Sequence, residues 1–433
     1  MLFLSSSNTT SSTLISTALR PNQRRRIYTL AKWILIGAAT ILATFILVCR
    51  VDVHFRVYVR EWVAPPVQLV IEPLSDGCFA NLSLHNPYHQ GRYRRVAHFV
   101  PGVPLWEDQT CYDFANLVRP PPSPSPSPAP SSARDGNKDQ INDDNGQRKT
   151  IFFHTYWSRN LTVITDKQLA TWQSFAATQN ANQTHLMVWI SPDDEATLLA
   201  SSAWRTATKQ FGSRLQHQTF DVSTLIQNTP LAAVVEPIHN RRVGHEDLLK
   251  LLALYHYGGV WFDLDTLFVR DLSPLLSEEW ISQGSCYTSL EGNPFDGALL
   301  HFHRGSPYVC EMLATVANEL HPSRSRTEPT SESYWSASSS LSKVKLGPTL
   351  YYRIYRRLLH HGIKPWLVVP WCFTDPSQCR KSNSLPNAFS ESEFSERRLS
   401  QVFAYHWHQQ WDAIPGSVFR YIQAKNENAL LLS

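Results

Sequence analysis

The chain has 433 residues, 42% of them hydrophobic, with 14 Trp and a formal charge of only +4. That is enough apolar material for one large α/β core with appendages. No long Lys/Arg block lies downstream of the N-terminal region, so a nucleic-acid partner is not indicated.

Residues 1–26 are rich in Ser, Thr and Arg and read as a short cytosolic tail. Residues 27–49 contain an uncharged apolar run, Trp33 to Cys49. Its 17 residues sit at the lower limit for a spanning helix, roughly 17–25 residues. Arg20, Arg24, Arg25, Arg26 and Lys32 precede it, while Arg50, Arg56 and Arg60 follow. The excess on the N-terminal side predicts a signal-anchor with a lumenal C-terminus. A cleaved signal peptide fits less well, because the lead-in is long and no small-x-small site closes the run.

Cys49 lies in the span, which leaves Cys78, Cys111, Cys286, Cys310, Cys372 and Cys379 on the lumenal side. An even number in an oxidising compartment predicts disulfides. Cys372 and Cys379 flank the turn-like Asp375-Pro376-Ser377 and suit a local bridge; Cys78–Cys111 and Cys286–Cys310 are the other expected pairs. Asn81, Asn160 and Asn182 each begin a glycosylation sequon on the same side. Span and sequons together predict a single-pass type II protein of the Golgi membrane.

Residues 50–118 carry two of the cysteines and several aromatics, and are expected to form an ordered lumenal stem region. Residues 119–149, with Pro120-Pro121-Pro122 and repeated Ser-Pro, read as an extended linker or insertion. The globular domain is expected over 150–433. Strands are predicted near 151–155 and 185–190, with a helix over 167–178 between them. A leucine-rich helix over 246–257 stops at Gly258-Gly259, and a strand starts at Val260. Further strands are predicted at 286–290 and 298–302, joined through a polar turn, and helices at 307–320 and 350–361. Alternating strands and helices predict a mainly parallel sheet covered on both faces.

The chemistry lies in Glu246-Asp247-Leu248-Leu249-Lys250 and in Trp261-Phe262-Asp263-Leu264-Asp265. Two carboxylates one residue apart end an apolar strand, and burying them together is costly unless a cation neutralises them. Positions two apart point to the same side of an extended segment, so both can address one Mn²⁺ or Mg²⁺ ion. The alternative is a solvated loop in which the pair merely ends the strand.

The arrangement of helix, Gly-Gly, aromatic residue and Asp-Leu-Asp resembles the core of the glycosyltransferases with a DXD sugar-binding region. That group includes α-1,4-galactosyltransferase, α-1,4-N-acetylglucosaminyltransferase and the initiating α-1,6-mannosyltransferase. Asp296-Gly297-Ala298, Gly347-Pro348 and Phe403-Ala404-Tyr405-His406-Trp407 are similar to further motifs of the group, in the same order. The resemblance implies a GT-A fold, a Rossmann-like α/β sheet with helices on both faces. It further implies a UDP- or GDP-sugar donor, a glycan or glycolipid acceptor, and retention of anomeric configuration.

By the same resemblance, Asp265 is the principal metal ligand, joined by Asp263 and by His406. Asp263 also contacts the donor. Asp247 matches a donor-binding Asp, although a carboxylate there also suits a helix N-terminus. Lys250 stands where the group carries Arg; it keeps the charge and loses the bidentate fork. Trp261 either stacks near the nucleotide or fills the core. Asp296 either approaches the reacting sugar or closes an Asp-Gly turn. Phe152, His154 and Thr155 on the first strand either contact the nucleotide base or pack. Two other functions compete. One is a glycan-binding relative without catalysis. The other is a haloacid-dehalogenase-type phosphatase with Asp263 as nucleophile, which lacks its later acidic cluster in this chain.

Overall fold

The computed structural model describes residues 21–49, 72–75, 77–79, 110–119, 150–234, 245–284, 286, 294–320, 345–379 and 383–432. Residues 1–68 and 69–433 form two compact units.

In the first unit, Pro21–Cys49 is one helix, α1. Leu30, Trp33, Ile34, Leu35, Ile41 and Leu42 are exposed on it, and the hydroxyls of Thr40 and Thr44 donate back to carbonyls four residues earlier. Among the described residues no helix is long and apolar enough to cross a membrane. The membrane span expected at residues 27–49 is therefore not supported. Described side chains on α1 cover 29–42 and 44, with Lys32 among them, and the apolar stretch 45–49 lies outside.

The second unit begins with α2 (Thr110–Leu117), followed by β1 (Ile151–Trp157), α3 (Asp166–Thr178) and β2 (Thr184–Ile190). Next come α4 (Glu195–Ala200), α5 (Ser202–Phe211), β3 (Leu215–Thr219), α6 (Val222–Leu225), α7 (His245–Tyr257), β4 (Gly259–Phe262) and β5 (Thr266–Phe268). The chain continues through β6 (Trp280–Gln283), β7 (Phe295–Phe302), α8 (Pro307–Leu320), α9 (Pro348–His360), β8 (Leu367–Val369) and α10 (Trp371–Thr374). It ends with α11 (Glu396–Gln401), β9 (Ala404–His406) and α12 (Ser417–Leu432).

Seven strands form one sheet in the order β3-β2-β1-β4-β7-β6-β8, and β5 pairs with β9 in a second. Strands β3, β2, β1 and β4 are mutually parallel, as are β6 and β8. The exception to a parallel sheet is β7, antiparallel to both β4 and β6. Residues 284–294 join β6 to β7, too short a link for the crossover that a parallel pair needs. Of the strand expected at 286–290 only Cys286 is described, and it stands outside β6, which ends at Gln283; 287–290 lie outside the described residues.

Both faces of the sheet are covered, because alternate residues point to opposite sides. Val260, Phe262 and Leu299 enter the core formed with α3 and α12; Trp261, Leu300 and Phe302 enter the one formed with α7, α8 and α9. Leu248, Leu249, Leu251, Leu252 and Leu254 are the buried stripe of α7. That helix ends as the Gly258 amide bonds Leu254 O at 2.9 Å. Gly258 and Gly259 have φ of +66° and +102°, and a Cβ on them would collide with the backbone of Arg304 and Phe152. Both needs, left-handed backbone and close approach, require glycine.

The expected stem boundary at 118 is not a structural one. Cys111, Tyr112 and Ala115 of α2 are buried in the same core as β1 and β4. Glu72 pairs with Arg353 and Arg357 of α9. Of the expected linker over 119–149, residues 120–149 lie outside the described residues, as does Asn81; Asn160 and Asn182 are exposed.

All three disulfides differ from the expected pairs: Cys78–Cys310, Cys111–Cys372 and Cys286–Cys379. The expectation favoured neighbours in sequence, whereas folding brings partners 232, 261 and 93 residues apart together. In particular, the Cys372–Cys379 segment is not closed on itself. Each end is fastened to a different part of the domain.

Candidate active site

The acidic pair follows β4 directly, at the carboxyl end of the strand, where open α/β sheets place ligands. Asp263 amide bonds Ala298 O at 2.8 Å, which fixes the exit from the sheet. The Asp263 carboxylate accepts from Trp261 Nε1 at 2.9 Å and from Lys250 Nζ at 3.3 Å. Burial pushes its pKa up, with Lys250 opposing and Asp265 adding to the rise.

Asp265 is 1% exposed. The β5–β9 ladder sets Thr266 opposite His406, so a residue 141 positions away in sequence is brought to the acidic pair. His406 Nε2 lies 3.1 Å from Asp265 Oδ2, and its Nδ1 lies 3.3 Å from Asp296 Oδ2 without hydrogen-bond geometry. Asp265 Oδ2 also accepts from the Gln409 amide at 2.6 Å. Burial raises the Asp265 pKa, but the His406 charge and these hydrogen bonds outweigh it and hold the group below the usual carboxylate range. For His406, burial works downward and the flanking Asp265 and Asp296 prevail, lifting the imidazole well above its ordinary value. Asp296 is lowered, since His406 outweighs its burial.

Ligand atoms of Asp263, Asp265 and His406 lie within 4.8 Å of one another. Two carboxylates and an imidazole suit Mn²⁺ or Mg²⁺, and donors around such an ion, bound at about 2.1 Å, lie a few ångströms apart. The buried His406 Nδ1 has no hydrogen-bond partner, as befits a ring whose place is set by the ions around it. The residues present therefore fit a divalent cation. Asp375, His406 and His408 form a second cluster of the same tightness.

Other residues singled out in the sequence have different positions. Lys250 is 2% exposed; its Nζ donates to Gly297 O at 2.7 Å, lies 3.7 Å from Asp247 Oδ1 and sits 5.4 Å above the Trp261 ring. It is turned inward to Asp263, and burial is overcome by Asp263, Tyr351 and Asp247, so its pKa is raised. Trp261 is fully buried and holds Asp263 from within the core. Asp247 is partly exposed beside Gly347, where φ is +62° and a Cβ would come 3.1 Å from Asp247 Oδ2.

Strand register explains the fate of the β1 residues. His154 pairs with Trp261, which sets Phe152 near Gly259, far from Asp263. His154 is fully buried: Nδ1 accepts from Trp189 Nε1 at 3.2 Å and Nε2 donates to Gly258 O at 2.9 Å. Burial lowers its pKa to about 4, so it is a neutral brace under the Gly-Gly corner. Thr155 is buried too. The β1 residues on the cleft are Tyr156 and Trp157.

Glu246 and Trp411 complete the cleft around Asp263 and Asp265, with Leu161, Thr162 and Gln409 at its walls. Sequence reasoning missed these as site residues. Glu246 stood inside the quoted motif, and an acid beside Asp247 at the start of an otherwise apolar helix was the available signal. Burial raises its pKa to about 7, with Asp263 adding to the rise and Lys250 opposing it.

Residues 164–284, less than half of the chain, match the family described as "Glycosyltransferase sugar-binding region containing DXD motif". No curated protein sequence matches the chain. Among solved structures, the galactosyltransferase LgtC in complex with donor and acceptor sugar analogues is 12% identical with a TM-score of 0.34, covering 65% of this chain and 95% of that one. Mouse xyloside xylosyltransferase 1 is 10% identical with a TM-score of 0.34, covering 60% and 98%. The PaToxG glycosyltransferase is 14% identical with a TM-score of 0.31, covering 49% and 70%. Likenesses this distant assign no substrate. Residues 164–284 are thus similar to a DXD glycosyltransferase region, and the Asp263–Asp265 pair at the end of β4 lies within it.

Proposed function

We propose that the chain is a metal-dependent hexosyltransferase of GT-A type. It moves a hexose or N-acetylhexosamine, with retention, from a UDP- or GDP-sugar to a glycan or glycolipid acceptor. One observation carries this reading: His406 stands against Asp265, beside Asp263, in a cleft whose acidic pair falls within the matched region.

Asp263, Asp265 and His406 would hold Mn²⁺ or Mg²⁺, which when bound neutralises the charge of a diphosphate. The protein's own groups prepare that place. Trp261 and Lys250 hold Asp263 from behind, so Lys250 acts on the acid and not on the departing diphosphate. Tyr156, Trp157 and Trp411 offer aromatic walls to a sugar or base. Glu246 is the acidic group available to hydroxyls of the bound sugar. The acceptor attacks from the face that the diphosphate leaves, and the departing phosphate takes its proton.

Three disulfides support an oxidising compartment, and the proposed location is the Golgi lumen. Attachment to the membrane through residues 27–49 rests on their apolar composition. Carbonate extraction of the expressed chain tests it; release into the supernatant contradicts it. For the activity, sugar nucleotides are screened for Mn²⁺-dependent hydrolysis. Turnover of one or more donors that chelator abolishes supports the reading, and full activity in chelator overturns it.

A further inference from the structure

Asp265 is held by a turn with unusual backbone. His408 and Gln409 both have left-handed φ, +56° and +52°. Non-glycine residues reach this region only at a cost in backbone strain, so something must hold them there. The result of that conformation is the 2.6 Å hydrogen bond from the Gln409 amide to Asp265 Oδ2, while the Trp407 amide bonds Asp265 O at 3.0 Å. Both ends of the acid are gripped by one short stretch of chain.

The turn is anchored from below. His408 Nε2 lies 3.1 Å from Asp375 Oδ1 and 2.9 Å from the Gln378 side-chain nitrogen. Asp375 is fully buried, and Ser377 donates to its Oδ1 at 3.3 Å. Asp375 and Gln378 belong to the segment between Cys372 and Cys379. That segment is fastened at one end to Cys111 of α2 and at the other to Cys286 after β6. The Cys286 amide also bonds Gln378 O at 3.2 Å.

We infer that Asp375 and His408 are positioning residues for the metal site, and that the Cys111–Cys372 and Cys286–Cys379 disulfides fix them in place. The chain of contacts runs from the two disulfides to Asp375, to His408, to the Gln409 amide, and so to Asp265. Outer partners that orient a ligand commonly contribute 10–100-fold to metal affinity. The inference rests on the metal-dependent reading above, and its test separates the two.

The test is titration of the purified full chain with MnCl₂ alone, followed by the electron paramagnetic resonance signal of free Mn²⁺, with thermal unfolding measured alongside. Asp375→Asn removes the anchoring charge. His408→Asn keeps a residue that tolerates the left-handed turn and removes the imidazole. The Cys286→Ser/Cys379→Ser pair frees one end of the segment. The wild type is expected to bind one Mn²⁺. His408→Asn is expected to raise the dissociation constant about tenfold or more with its unfolding temperature kept, and Asp375→Asn to do the same. His408 is partly exposed, so its variant carries the test if Asp375→Asn fails to fold. A wild type that binds no Mn²⁺ overturns the metal reading and this inference with it. A wild type that binds, beside a His408→Asn variant of equal affinity, overturns this inference alone. So does a wild type that binds two ions and loses one in these variants, because Asp375 and His408 would then be ligands themselves.

Discussion

Two charge clusters among the described residues of this domain are built on opposite plans. Between α8 and α9, Arg357 reaches Glu311 at 2.7 Å and also pairs with Glu72, while Arg353 pairs with Glu319 and Glu72. Every carboxylate there touches a guanidinium, and Glu311 Oε2 takes the Ser75 amide as well. At the end of β4, Asp263, Asp265, Asp296 and Glu246 share only Lys250 and His406 among the described residues, and Lys250 reaches only Asp263 among these four. The first cluster is closed on itself and joins residues 72–75 to the domain. The second keeps an excess of acid around a cleft. Buried acids without a matching cation cost stability, so a surplus kept at a cleft marks a place shaped for something that binds.

Substitutions should separate the two plans. The largest effect is expected from Asp265→Asn. It keeps shape and removes charge, so sugar-nucleotide turnover should fall about a thousandfold, the several kcal/mol that a bound metal supplies. The variant should stay folded with a small loss of stability from the weakened His406 and Gln409 contacts, as measured by calorimetry. Arg357→Ala should do the reverse. It leaves Glu311 buried without its cation and should cost about 3–5 kcal/mol of stability, read by denaturant unfolding.

Glu246→Gln sharpens the contrast with a smaller effect of opposite sign. The folded-state pKa of Glu246 is about 7 against 4.5 for the free group. The folded protein therefore binds more protons between those values, and stability is lost as pH rises through that window. Removing the charge should stabilise the metal-free protein by about 1–3 kcal/mol at pH 8 and leave it unchanged at pH 4. Equal stability at both pH values would remove Glu246 from the acidic surplus.

Much of the scaffold was legible from periodicity and glycine. The leucine stripe of α7, its stop at Gly258 and the strand that follows are written as local pattern, and the acidic pair stands where that pattern breaks. What lay beyond reach depends on contacts between distant segments. Period two says which side a strand residue faces, but not where the strand meets the cleft; it leaves Phe152, His154 and Thr155 between base contact and packing, while Tyr156 and Trp157 line the cleft. The resemblance sets Lys250 toward the donor and leaves Trp261 between donor and core; both turn inward because Asp263 accepts from them. The hold of Gln409 on Asp265 is made by a backbone amide, which has no sequence signature. The disulfides paired across the fold, where proximity along the chain is no guide.

In the proposed function, the acid surplus at β4 is a divalent-metal site for sugar-nucleotide chemistry. Hydrolysis of a panel of UDP- and GDP-sugars by the purified full chain tests it most directly, with Mn²⁺, with chelator, and with Mn²⁺ restored after chelation. The expected result is turnover of one or more donors that vanishes in chelator, returns with Mn²⁺ and is absent from folded Asp265→Asn. Turnover that persists in chelator, or a folded Asp265→Asn variant as active as wild type, would contradict it.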